Sequence, residues 1–71
     1  MLSSARLPKQ LGRKIQKLRK KAELTQEDLA YKIGISNTYM GYIEQGRNTP
    51  SLQVLQKIAK ALKIKFSDLL D

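Results

Sequence analysis

The sequence predicts an all-α domain of five short helices, and three observations support this prediction. Apolar residues recur at helical spacing in successive segments, turn-forming residues separate these segments, and no segment alternates as a strand does. A chain of 71 residues suits one small domain, which buries about 60% of the surface of its unfolded chain. The stretch TQEDLAYKIGISNTYMGYIEQG, residues 25–46, organises the rest of the chain.

This stretch has the pattern of two helices joined by a tight turn. Thr25 and Asp28 form the T-x-x-D pattern of a capping box, which predicts a helix over residues 25–33. Gly34 ends this helix because glycine readily adopts the left-handed conformation, and Ser36 can cap a second helix over 36–45. The apolar positions that would hold these helices together are Leu29, Ala30, Ile33, Ile35, Met40 and Ile43. The pattern indicates a helix-turn-helix, whose second helix enters a DNA major groove.

One helix is predicted before this motif and two after it. Residues 1–7 are expected to form a flexible basic arm, and residues 8–71 the folded domain. The first helix covers about 8–21, and its apolar stripe consists of Leu11, Ile15, Leu18 and Ala22. A helix over about 51–62 follows a turn, with Thr49 or Ser51 as its cap and Pro50 at its start. A last helix over about 66–70 contributes Phe66, Leu69 and Leu70.

The charge of the chain is strongly positive and unevenly distributed. Fourteen basic and six acidic residues give a net charge of +8. The basic residues that precede the first acid, Glu23, are Arg6, Lys9, Arg13, Lys14, Lys17, Arg19, Lys20 and Lys21. A solvated helix face is the simplest explanation, and attachment to an anionic membrane is another, although the narrow aliphatic stripe favours packing against a helix. Beside a helix-turn-helix, this basic face is expected to lie against phosphates.

Several classes of protein are excluded by composition. The chain has no cysteine and no histidine, so disulfides and the usual zinc sites are absent. No apolar stretch approaches the roughly 20 residues of a membrane span, and we expect a cytoplasmic protein. The six acids form no catalytic constellation, so we expect neither an enzyme nor a cofactor.

The segment LRKKAELTQEDLAYKIGISNTYMGYIEQGRNTPSLQVLQKIAKALKI resembles the phage-repressor-like helix-turn-helix family, also called the XRE or Cro/repressor family. Its T-Q-E-D-L-A, I-E-Q-G-R and P-S-L…L-x-x-I-A-x-A-L runs are jointly specific, and the similarity extends from Leu11 to Leu70. The resemblance implies a five-helix, lambda-repressor-like DNA-binding domain that regulates transcription, as a repressor in our interpretation. It also implies a homodimer on a pseudo-palindromic double-stranded operator, formed in solution or only on DNA.

The resemblance assigns base-reading positions to Asn37, Thr38 and Tyr42. The amide of Asn37 can pair with adenine, Thr38 can contact a thymine methyl or a phosphate, and the Tyr42 hydroxyl can instead bond a phosphate. Gln26 matches the family's phosphate-binding glutamine, and bonding to its own helix terminus is the alternative. The residues expected to contact phosphates are Gln26, Ser36, Arg13, Arg19, Arg47 and Asn48.

The resemblance also implies an ion pair between Arg19 and Glu44. Both residues border apolar stripes, where unpaired charges are rare. The chain departs from the family at Glu23 and Lys63, where glycine commonly ends helices 1 and 4, and at Lys65, which replaces a capping serine. Glu23 and Lys63 are therefore expected to adopt a left-handed backbone.

Two further expectations concern partners. The apolar turn from Phe66 to Leu70 is the candidate dimer surface, and the alternative is that Phe66, Leu69 and Leu70 only complete the core. The competing function is an antitoxin-type or coactivator-type helix-turn-helix whose main partner is a protein. An acidic stripe or a long extension would favour that alternative, and this sequence has neither.

Overall fold

The computed structural model describes residues 7–70, apart from the side chain of Leu7. Its helices are α1 (Leu7–Lys21), α2 (Gln26–Ile33), α3 (Asn37–Glu44), α4 (Leu52–Leu62) and α5 (Phe66–Leu70). The all-α prediction is confirmed, and each helix end lies within one residue of its predicted position. Because α1 begins at Leu7, the last residue assigned to the basic arm belongs to this helix. Residues 1–6 of that arm lie outside the described range.

The capping box that begins α2 is complete. The backbone amide of Asp28 donates to the Thr25 hydroxyl at 3.0 Å, and the backbone amide of Thr25 donates to the Asp28 carboxylate at 2.9 Å. The hydrogen bond from the Thr25 amide, followed by the interaction of the Thr25 side chain with the carboxylate, holds the pKa of Asp28 below its ordinary value of 3.8. The carboxylate therefore stabilises the start of α2 while it remains ionised.

The caps of the other helices follow the sequence with two differences. The Ser36 hydroxyl caps α3 by accepting from the Tyr39 amide, and Ser51 caps α4 in the same way. Thr49 is thus not the cap, and Pro50 lies before the cap rather than in the first turn. At α5 the backbone amide of Lys65 donates to the Asp68 carboxylate at 3.0 Å, which supplies half of a capping box without a serine.

The first four helices end in the same way. Each is followed by a residue in the left-handed conformation, namely Glu23, Gly34, Gly46 and Lys63, with φ of 61°, 76°, 75° and 58°. The amide of the next residue then donates to the carbonyl five positions back, in the pairs Leu24–Arg19, Ile35–Ala30, Arg47–Tyr42 and Ile64–Ala59. This hydrogen bond defines a Schellman turn, which folds the chain back across the end of its helix.

One core holds the helices together, and the fully buried side chains Ile15, Leu29, Met40, Ile43 and Ile58 lie at its centre. The helix-turn-helix is closely packed, because α2 lies against both α3 and α4 while α1 crosses α3. One sequence assignment needs correction here, because Ala22 lies beyond the end of α1 and is exposed. Leu69 is 2% exposed and belongs to the core, which is one of the two roles expected of it.

Candidate nucleic-acid interface

The first turn of α3 presents two polar side chains to solvent. Asn37 and Thr38 are both exposed, and neither side chain hydrogen-bonds to another part of residues 7–70. The Ser36 hydroxyl accepts from the Tyr39 amide at 3.0 Å, so the side chain of Asn37 is not needed as a cap. Ser36 is itself exposed, and its hydroxyl hydrogen stays free to donate to a phosphate. This turn can therefore supply donors and acceptors to an external partner.

The other end of α3 is anchored by the ion pair between Arg19 and Glu44. The guanidinium donates from Nε to Oε2 at 2.7 Å and from Nη2 to Oε1 at 3.0 Å, so the pair is bidentate. Its remaining nitrogen, Nη1, donates to the carbonyl of Leu24 at 2.7 Å. Each residue of the pair is 6% exposed. Arg19 was also expected to bind a DNA phosphate. The structure corrects this expectation, because the guanidinium is buried and each of its three nitrogens donates a hydrogen bond within the protein.

Gln26 extends this network to the start of α2. Its side-chain amide donates from Nε2 to Glu44 Oε1 at 3.3 Å, so its protein partner is Glu44 rather than the end of its own helix. The amide lies against Gly41, where an added Cβ would be 3.4 Å from Gln26 Oε1. Gln26 is half-buried, and its second Nε2 hydrogen remains available to a phosphate beside α3.

The turn after α3 places Tyr42, Arg47 and Asn48 together. The carbonyl of Tyr42 accepts from the amide of Arg47 at 2.8 Å and from that of Asn48 at 3.4 Å. The guanidinium carbon of Arg47 lies 4.4 Å from the centre of the Tyr42 ring, a cation–π contact. Arg47 and Asn48 are exposed and Tyr42 is half-buried. This contact has no signature in the sequence, because it depends on the left-handed conformation of Gly46 between the two residues.

The N-terminal half of α1 lies directly against the end of α3. A Cβ on Gly12 would be 2.5 Å from the carbonyl oxygens of Ile43 and Glu44, and one on Gly46 would be 2.7 Å from the Cα of Lys9. Only hydrogen fits at these two contacts. Arg13, which follows Gly12 in α1, is exposed. Sequence analysis did not single out Gly12, although a glycine inside a helix is the kind of signal that indicates such an approach.

The predicted dimer surface is smaller than the sequence suggested. Leu69 is in the core and Phe66 is partly buried against it, whereas Leu70 is 61% exposed. Only Leu70 therefore presents a largely free apolar side chain in α5. The five-residue length of this helix is too short for its periodicity to distinguish the two leucines.

Two other features are absent from residues 7–70. The acids in this range form no group that could hold a metal ion. None of the helices described is long and apolar enough to cross a membrane.

A helix-turn-helix whose second helix presents an exposed polar first turn and is followed by an exposed arginine defines the class of DNA-binding helix-turn-helix domains. Comparison with known proteins agrees with this class. The pattern that defines the helix-turn-helix family HTH_3 matches residues 15–69, and the chain belongs to this family. Family members are DNA-binding transcription regulators, and this chain is a domain of that class.

Individual relatives have related roles. The immunity repressor protein of Bacillus phage phi105 is 42% identical over 57 residues, which are 80% of this chain and 40% of that repressor. The restriction-modification controller protein C.AhdI of Aeromonas hydrophila has a similar structure, with a TM-score of 0.83, 34% identity, and coverage of 86% of this chain and 92% of that one. The biofilm regulator SinR, solved in complex with DNA, gives a TM-score of 0.81 and 32% identity, and the match covers 86% of this chain and 98% of SinR.

Proposed function

We propose that this domain binds double-stranded DNA sequence-specifically and represses transcription, with the N-terminal end of α3 in the major groove. The observation that supports this most directly is the exposed first turn of α3, where Asn37 and Thr38 have no partner among residues 7–70. An asparagine amide can pair bidentately with adenine, and a threonine can contact a thymine methyl. Tyr42, one turn beyond Thr38 on the same helix, is the third base-facing position.

The proposed phosphate contacts are distributed around α3 and are not confined to its first turn. They come from the exposed cations Arg13 and Arg47, the exposed polar residues Ser36 and Asn48, and the free amide hydrogen of Gln26. Cationic contacts release counterions from DNA and therefore make affinity depend on salt, whereas neutral contacts do not. This difference separates the two kinds of phosphate contact experimentally.

We further propose that two copies bind one pseudo-palindromic operator, with half-sites about 34 Å apart. A single domain of this size covers too little DNA for tight specific binding. Leu70, at 61% exposed, is the apolar residue of α5 available for pairing, either in solution or only on DNA. Protection of one asymmetric half-site in a footprinting experiment would contradict this proposal.

The similarity to an immunity repressor supports repression rather than activation. The named relatives are a repressor, a controller protein and a regulator, and we propose no catalytic activity for this chain. Because its target is DNA, we propose that it acts in the cytoplasm.

A second candidate function is binding of an acidic protein segment, and one surface favours it. A shallow cleft of about 680 Å³ between α2 and α4 is lined by Tyr31, Lys32, Lys57, Lys60 and Lys63 together with smaller residues. Tyr31 is 87% exposed. This cleft has basic walls and an aromatic rim, so it is complementary in charge to an acidic partner. Charge reversal by Lys57→Glu with Lys60→Glu would weaken DNA binding only modestly if α3 binds the operator.

The test begins with sequences selected from a random DNA pool by the wild-type domain. Binding of the selected operator and of random DNA is then measured across a salt series. Asn37→Ala should weaken operator binding by about 1–3 kcal/mol and relax preference at one base pair, while random DNA is bound nearly as before. Gln56→Ala removes an exposed amide from α4 and is the matched control. Equal weakening on both DNAs would make Asn37 a backbone contact.

Two further variants test the phosphate contacts. Arg47→Ala should weaken binding to every sequence similarly and reduce the salt slope by about one. Gln26→Ala should weaken all sequences without a comparable change of slope, because glutamine displaces no counterion. Selection that enriches no sequence at all would contradict the proposed sequence-specific function.

A further inference from the structure

The four Schellman turns of this domain differ in one respect. In three of them the residue after the left-handed position is apolar, and Leu24, Ile35 and Ile64 all pack against the core. An apolar contact between this residue and the preceding helix commonly accompanies such a turn. In the turn that ends α3, the equivalent residue is Arg47, which is charged and exposed. The position that elsewhere completes the core here holds a cation at the proposed DNA surface.

The side chain of Arg47 nevertheless folds back onto its helix as the apolar residues do. The backbone hydrogen bond from Arg47 to Tyr42, at 2.8 Å, places the two residues over one another. The guanidinium carbon then lies 4.4 Å from the centre of the Tyr42 ring. A half-buried tyrosine thus takes the place of the usual apolar partner, and it binds a cation by the face of its ring.

We propose that Tyr42 is a positioning residue, which holds the guanidinium of Arg47 in place for a DNA phosphate at the end of α3, the proposed recognition helix. A guanidinium is planar, so a ring can cover its face while the N–H groups at its edge still bond phosphate oxygens. An arginine already held by a ring loses less side-chain freedom when it binds than a free one does. This inference rests on the proposed function, because it assigns Arg47 to a phosphate.

The same geometry limits what Tyr42 can do with bases. Arg47 covers one face of its ring, so contact with a base is left to the ring edge and the hydroxyl. A residue that reads bases changes affinity for the operator alone, whereas a residue that positions a phosphate ligand changes affinity for every DNA. The two roles of Tyr42 can therefore be separated.

The experiment is a double-mutant cycle on the 71-residue chain. Tyr42→Met, Arg47→Gln and the double variant are measured with operator and random DNA across a salt series. Tyr42→Met should weaken binding to both DNAs about two- to fivefold, because the freed Arg47 side chain must then be ordered when DNA binds. In the Arg47→Gln background the same change should have almost no effect. Additive losses, or a loss confined to the operator, would overturn the proposal.

Two conservative variants identify the chemical group whose removal weakens DNA binding. Tyr42→Phe keeps the ring, so it should retain the affinity for random DNA that Tyr42→Met loses. An equal loss of that affinity in both variants would assign the effect to the hydroxyl. Arg47 is exposed, so the Arg47→Lys variant should fold. It therefore tests the proposal even if Tyr42→Met does not fold. Arg47→Lys should bind both DNAs about two- to fivefold more weakly with an unchanged salt slope, because the charge remains and the planar group is lost. Unchanged binding would overturn the positioning role.

A measurement without DNA separates this inference from the proposed function. In the NMR spectrum of the free protein, the Arg47 side-chain protons should be shifted upfield by the Tyr42 ring, and the shift should vanish in Tyr42→Met. Absence of the shift in the wild type would overturn the stacked arrangement whatever the DNA results. Its presence together with additive binding losses would overturn only the positioning role. A wild-type domain that binds no DNA would overturn the proposed function as well.

Discussion

Glu44 joins α1 to the recognition helix through Arg19, with the guanidinium bonded to both carboxylate oxygens. The pair is bidentate and almost completely screened from solvent, and Gln26 adds a third donor to the same carboxylate. No buried side-chain nitrogen or oxygen within residues 7–70 lacks a hydrogen-bond partner. Removal of one partner from a buried ion pair strongly destabilises a protein, because the other charge is then left unpaired.

Replacement of Glu44 by alanine is therefore expected to destabilise the fold. The buried Arg19 would lose its counter-charge, at a cost of about 3–5 kcal/mol in the free energy of unfolding. Glu27→Ala removes an exposed glutamate from α2 and should change stability by no more than about 0.5 kcal/mol. Urea-induced unfolding of both variants measures the difference. Equal midpoints for Glu44→Ala and the wild type would show that the pair does not stabilise the domain.

The capping box of α2 makes stability depend on pH. The folded pKa of Asp28 is depressed, so its contribution is fully present above the ordinary value of 3.8 and is lost as the pH falls through the folded pKa. Asp28→Asn should lower the melting temperature at pH 7. At the acid end of a pH series, the melting temperatures of this variant and of the wild type should become equal. Glu27→Gln, in the same helical turn, is the control for the loss of one charge. A constant difference at all pH values would contradict this account.

The contact between α1 and α3 distinguishes two helical glycines. In Gly12→Ala the new methyl group would be 2.5 Å from two backbone oxygens, so α1 must move, at a cost of about 1–3 kcal/mol. In Gly41→Ala the nearest atom would be Gln26 Oε1 at 3.4 Å, and alanine is the better helix former by about 1 kcal/mol. Thermal unfolding should thus show a loss in the first variant and no loss in the second. Similar losses in both would mean that the close contact is not the cause.

Two helix ends carry strain that glycine would remove. Glu23 and Lys63 have left-handed backbones, which disfavour side chains by roughly 1 kcal/mol. Glu23→Gly and Lys63→Gly should each raise the free energy of unfolding by up to that amount. Gly34→Ala is the reverse test, because no atom lies within 4 Å of the added methyl group and only the backbone conformation opposes it. A gain in stability for Gly34→Ala would refute this explanation.

Local signals in the sequence were sufficient to predict most of the helix boundaries. Thr25, Ser36 and Ser51 each precede a helix with a hydroxyl at the capping position, and Gly34 can end one cheaply, so these boundaries follow from one or two residues. The error at Ala22 arose because apolar periodicity continues past the end of α1. The hydrogen bonds at Glu23, not the pattern of side chains, end that helix.

The candidate site was less predictable, because side-chain direction depends on contacts between distant residues. The family resemblance implied the pair between Arg19 and Glu44, which are 25 positions apart, and the structure contains it. A count of charges alone cannot tell that Arg19 is buried while Arg13 on the same helix is exposed. The stack of Arg47 on Tyr42 likewise depends on a turn that reverses the chain between them. Tyr31 received no role from the sequence, and its exposure became known only from the structure.

The two ends of the recognition helix have different consequences for evolution. At its C-terminal end the carbonyls of Ile43 and Glu44 touch Gly12, and Glu44 is paired inside the domain, so few substitutions can survive selection there. At its N-terminal end, about 12 Å away, Asn37 and Thr38 face solvent and support nothing else in residues 7–70. Under the proposed base-reading role of this turn, descendants of this domain can diverge in DNA preference by changes in one exposed turn while they inherit an unchanged scaffold.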